Sequence, residues 1–171
     1  MGNKKALVLV VLASLFSVSA VAAEKIAVVD IARAIFSSNA AQESLKQAEQ
    51  GADFVSLKAK YEGSAADLQS LAKEAESKRL TWSQEQVVAH QKKMEYAKAD
   101  AELAGRKIQA EQKQLQQKIM QDLGPIAQQA LQEVITEEGV TILLRAESVM
   151  TASPESNLTA KVADRLNQKT K

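Results

Sequence analysis

The sequence holds one histidine, His90, and no cysteine. A His-paired nucleophile needs an imidazole beside a hydroxyl or thiol, and a His or thiolate metal site needs several such ligands, so a lone imidazole serves neither. His90 stands near an expected helix start and reads as a solvated helix residue. Carboxylates occur in close pairs at Glu74 and Glu76 and at Glu137 and Glu138, the pairing that general acid-base work uses. Neighbouring acids on helix surfaces are as a rule solvated charge, and both pairs read that way. The glycines stand at positions 2, 51, 63, 105, 124 and 139 and form no G-x-x-x-x-G-K-[ST] loop that would cradle a phosphate. No enzyme, metal site or cofactor is expected.

What remains is apolar periodicity and charge. Lys4 and Lys5 precede an apolar run from Ala6 to Val18, followed by small residues at Ser19, Ala20, Ala22 and Ala23. This pattern predicts a secretory signal peptide over residues 1–22, cleaved after Ala22 or Ala23. The run is short for a membrane span, and no later stretch is apolar enough for one. The 22 Lys and Arg less Lys4 and Lys5 leave 20 basic residues against 21 acidic ones, a balance that argues against a nucleic-acid partner. Aromatic residues make up 4% of the chain, while Ala, Gln, Lys and Glu dominate its middle, as in long helices.

The β-branched run Lys25 to Asp30 predicts a strand, Ile31 to Phe36 a helical turn, and Ser37, Ser38 and Asn39 a helix N-cap. A long helix is expected from Ala40 to about Arg79. Phe54, Leu57, Tyr61, Ser64, Leu68, Leu71, Ala75 and Lys78 follow one another at spacings of three and four, a heptad stripe with weak points at Ser64 and Lys78. Leu45, Ala48 and Ala52 keep another phase, so the stripe breaks near Gly51. A second helix is expected from the capping box Ser83 and Gln86. Its stripe runs through Val87, Met94, Ala97, Ala101, Ala104, Ile108, Leu115 and Ile119. Two such helices joined near residues 79–84 make a projecting hairpin arm, residues 40–137.

Gly124-Pro125 predicts an interruption and kink in the second helix, and Gly139 its C-terminal cap. Val140 to Leu144 and Val149 to Thr151 predict two further strands. Ser153 to Asn157 predict a turn, and Leu158 to Leu166 a last amphipathic helix. Residues 24–39 and 138–171 thus form a small β-containing body with about three strands. A sheet that small leaves open edges. Closure by other copies of the chain would solve this, through Ile26, Val28, Val29, Ile142, Leu143, Leu144 and Val149. The fold class is mainly α with a small β body.

In order, the signal peptide, K-I-A-V-V-D (Lys25 to Asp30), the helical hairpin, G-V-T-I-L-L-R-A-E-S-V-M (Gly139 to Met150) and S-N-L-T-A-K-V-A-D-R-L-N-Q (Ser156 to Gln168) resemble the Skp/OmpH-like periplasmic chaperones. The resemblance implies a homotrimer whose strands close a central barrel and whose hairpins enclose a cavity. It implies that the cavity holds unfolded outer-membrane β-barrel proteins in the periplasm without ATP. The chain departs from the family at Arg145 and Asn157, where aspartate is common, and near Thr151, where an aromatic is common. It also lacks the strongly basic charge common among members.

Phe54, Leu57, Tyr61, Leu68, Leu71, Val87, Met94, Ile108, Leu115 and Ile119 are expected to seal the arm or to meet client. Lys78, Arg79, Lys92 and Lys93 leave residues 78–93 at a formal +3, against −3 for residues 40–77. With Trp82 among them, this basic tip suits transient contact with a membrane surface. Trp82 would equally pin the turn by packing on Leu80 and Val87. The rival function is that of a coiled-coil adaptor between folded envelope proteins, which has no need of the two β segments at the chain's far end.

Overall fold

A computed structural model describes residues 24–171; the signal-peptide reading falls on residues 1–23, outside them. Strand β1 (Ile26–Val29) leads into helix α1 (Ile31–Phe36), α2 (Asn39–Gln50) and α3 (Ala52–Lys78). A 3-10 turn at Arg79–Thr81 reverses the chain into α4 (Gln84–Glu138), followed by β2 (Ile142–Arg145) and α5 (Thr159–Lys169).

Local chemistry explains most boundaries. Asp30 caps α1, its Oδ1 accepting from the Arg33 amide at 2.8 Å. Ser38 caps α2 by accepting from the Ala41 amide. The long helix expected after Ala40 divides at Gly51, whose backbone is extended (φ −63°, ψ 139°), at the place where the apolar phase changes. α4 opens on the Ser83–Gln86 capping box and closes at Gly139, which is left-handed at φ 62° and ψ 37°.

Two expectations fail locally. Gly124-Pro125 does not interrupt α4, which continues through Pro125 to Glu138. Leu123, Ala127, Ala130 and Leu131 on either side are buried in one core, and packing on both flanks holds the helix across the missing amide donor. No strand forms at Val149 to Thr151. Ala146–Ser148 is a 3-10 turn, and Val149 ends it in an extended conformation without a ladder partner.

The sheet therefore has two strands rather than three. β1 and β2 pair in parallel, with Ile26 opposite Ile142 and Val28 opposite Leu144. An isolated bridge from Val28 to Asn157 takes the place of the third strand. Side chains alternate across a sheet, so Ala27, Val29 and Leu143 face inward. They join Ala34 and Ile35 of α1, Ile119 to Val134 of α4, and Leu158, Val162 and Leu166 around α5 in the core. The core thus draws on part of α4 that lies before residue 138. Asn157 accepts from the Thr159 amide at 3.0 Å just ahead of α5, whose N-cap is Leu158. The Leu158 amide donates to the Val28 carbonyl and the Asp30 amide to Thr159 Oγ1, both at 2.9 Å, fastening α5 to the end of β1.

Beyond the core, α3 and the first half of α4 run side by side as the hairpin, with α3 about 40 Å long at ~1.5 Å per residue. No described helix is long and apolar enough to cross a membrane.

Candidate functional site

Among the described residues, the arm, its tip and the sheet carry the side chains that the sequence singles out. Along the arm, Phe54, Leu57, Leu68 and Leu71 of α3 and Val87, Met94, Ile108 and Leu115 of α4 are half-buried, Ile119 is buried, and Tyr61 is 44% exposed. The heptad stripe is the face each helix turns to the other, and two helices leave most of its large side chains half-buried. α3 buries no residue completely. On the α4 side of the hairpin Ala101 and Ala104 are buried, small side chains that a facing helix can cover. The Tyr61 ring lies against Gly105, where an added Cβ would stand 3.6 Å from it.

His90 is the residue the sequence reading places wrongly. It is 7% exposed, occupying the heptad position between Val87 and Met94, whose spacing of seven was the available signal. Its ring centroid lies 4.5 Å from that of Trp82. Its Nε2 makes no hydrogen bond and stands 3.9 Å from a Glu74 carboxylate oxygen. Trp82 closes the turn against His90 rather than on Leu80, which is fully exposed. Lys78 pairs with Glu74 at 3.2 Å, while Arg79, Lys92 and Lys93 are exposed and form no ion pair among the described residues. Where the stripe changes phase at Gly51, a cleft of about 620 Å³ opens between Leu45, Phe54 and Leu115.

At the sheet, the seven residues expected to serve assembly divide. Val28 and Val29 are each 4% exposed and already covered within the chain. Leu143 packs on the core, and Val149 is half-buried. Ile26, Ile142 and Leu144 remain open on the outer face, 40 to 51% exposed, beside a β2 edge without a neighbour among the described residues.

Both acids of the Glu137–Glu138 pair are ion-paired, Glu138 half-buried and Glu137 still exposed to solvent. Lys25 donates to Glu138 at 2.7 Å and Lys161 donates to its other oxygen. Arg165 bridges Glu133 at 3.0 Å and Glu137, and Lys169 meets Glu133 at 2.6 Å. The donors Lys161 and then Lys25 hold the Glu138 carboxyl down to about 2, and Lys169 and Arg165 lower that of Glu133. These carboxylates clamp α5 to the end of α4. Among the described residues, no group of three His, Cys, Asp or Glu is placed to hold a metal ion.

Comparison with curated proteins gives no match. A solved structure of an OmpH-like outer membrane chaperone from Caulobacter crescentus is 23% identical, covers 85% of each chain and superposes with a TM-score of 0.49. The family of outer membrane proteins described as OmpH-like matches residues 25–166, from the start of β1 into the last turns of α5. With so much of its length matched, the chain belongs to the OmpH-like family.

Proposed function

We propose that the protein is an exported, ATP-independent holdase chaperone of the periplasm. Three copies join through their sheets, and their arms enclose unfolded outer-membrane β-barrel proteins and keep them from aggregating. The observation that carries this reading is the body's unfinished sheet. Two short strands with an open edge and an apolar outer face at Ile26, Ile142 and Leu144 are marginal alone. Other copies of the same sheet complete such a face without a new surface, and assembly then sets several arms around one space. Many weak contacts from separate arms hold a disordered chain by avidity. Strands of unfolded barrel proteins, which alternate apolar and polar residues, suit that kind of site.

The test is light scattering of the purified protein, alone and with a urea-diluted outer-membrane barrel protein, recording molar mass and turbidity. A trimer that suppresses turbidity is the expected result. A monomer or dimer that leaves aggregation unchanged overturns the proposal in favour of an adaptor between folded proteins.

A further inference from the structure

The side of α4 turned away from α3 carries a second apolar stripe. Val88, Tyr96, Leu103 and Met120 are 41, 70, 46 and 38% exposed. Tyr96 and Leu103 each stand two positions after a seam residue, Met94 and Ala101, and two positions turn a side chain about 200° round an α-helix. Ala99 and Ala110 continue the line at spacings of three and four and are exposed as well. Single exposed apolar side chains are ordinary on a soluble protein, and what sets these apart is that they share one side of α4 with cations between them.

The other long side chains on this line are Lys92, Arg106, Lys113 and Gln117. No carboxylate stands on it. Arg106 lies 3.8 Å from Glu102, whereas Lys92 and Lys113 form no ion pair among the described residues. A second copy of the same face would bring these cations against their own kind. Between Leu103 and Met120, about 26 Å apart at ~1.5 Å per residue, only Ala110 adds apolar surface, so the line offers a rigid helix partner no continuous seam. Isolated apolar footholds with cations between them fit a flexible chain that carries both apolar side chains and carboxylates.

Resting on the holdase reading, we propose that this outer face of α4, rather than the seam, is where the arm holds its client. The client segments it takes are unfolded ones in which apolar residues alternate with acidic ones.

The experiment compares the purified protein with two double variants, Tyr96→Gln with Leu103→Gln and Lys92→Glu with Lys113→Glu. All four positions lie outside the seam, and circular dichroism and molar mass are expected to be unchanged. The probes are a urea-unfolded outer-membrane barrel protein and two synthetic peptides of alternating apolar and charged residues, one with Glu and one with Lys. The Tyr96 and Leu103 variant is expected to bind the barrel protein roughly tenfold more weakly. The parent is expected to prefer the Glu peptide by a similar factor, and the Lys92 and Lys113 variant to reverse that preference.

A Tyr96 and Leu103 variant that binds as the parent does overturns the choice of face while leaving the holdase reading intact. Equal affinity for the two peptides overturns the acidic preference. A fall in molar mass makes the face a subunit contact and overturns the proposal. A parent that binds no barrel protein overturns it together with the reading it rests on.

Discussion

At Glu138, one carboxylate joins three separate parts of the chain. It ends α4, and it accepts from Lys25 just before β1 and from Lys161 on α5. Its carboxyl is lowered from 4.5 to about 2. Between those two values the unfolded chain therefore binds a proton that the folded chain does not, and stability rises with pH. The contribution is complete above the unfolded value and gone below the folded one. Glu138→Gln cannot ionise, so at pH 7 its Tm is expected to fall a few degrees below the parent's, a modest effect for ion pairs in contact with solvent. Thermal melts followed by circular dichroism should show that gap closing as pH falls from about 4.5 to about 2. A gap that stays constant with pH would mean that the carboxylate's charge is not what fastens α5. Glu133, lowered by Lys169 and Arg165, gives both proteins the same background slope. Neither clamp is visible in local spacing. Lys25 lies 113 residues and Lys161 23 residues from Glu138, so the acid pair looks unpartnered until the fold brings its cations in. His90 differs, since its heptad position was written in the sequence and its polarity argued against it.

Two glycines of α4 and its cap show how an element decides the sign of one substitution. Gly105 is helical, and a Cβ there would meet only the Tyr61 ring, at 3.6 Å, an ordinary contact. Gly105→Ala is expected to stabilise by about 0.5–1 kcal/mol through helix propensity alone. Gly139 has open space around it, but φ is +62°. Gly139→Ala should therefore cost about 1 kcal/mol by forcing a side chain into the left-handed region, with Gly139→Asn costing less. Urea denaturation of the three variants checks the order, and a destabilised Gly105→Ala would show that the arms have no room for a methyl group there. Elements whose causes are local were the legible ones. The stripes of α3 and α4, the Ser83–Gln86 box, the Gly139 cap and the start of α5 after the Ser153–Asn157 turn all depend on residues within about one turn. The errors share the opposite origin. Pro125 was judged by its own rule, while the core on both sides of it determines the outcome. Val149 to Thr151 has strand-forming residues but no ladder partner among the described residues, and β2 instead joins β1, 116 residues earlier along the Ile26–Ile142 register.

The whole molecule concentrates its burial at one end. The core gathers β1, α1, α5 and the last third of α4, whereas α3 buries nothing completely, so the body must be stable enough to carry an arm that adds little to its own support. A body with an apolar sheet face left in water is poorly suited to that task, and the proposed trimer meets the need by covering Ile26, Ile142 and Leu144. Assembly of this kind makes stability depend on concentration, because mass action favours the folded trimer. The Tm of the parent is therefore expected to rise as protein concentration is raised. Ile142→Asp with Leu144→Asp places two charges on the outer face, where both side chains already reach water in the single chain. The fold of each chain should survive, with helical circular dichroism retained, while sedimentation gives about a third of the parent mass and the concentration dependence of Tm disappears. Loss of helix along with loss of mass would mean that the body folds only on assembly, as in obligate oligomers. A parent that is monomeric, with one Tm at every concentration, would remove the trimer and leave the apolar face to some other partner.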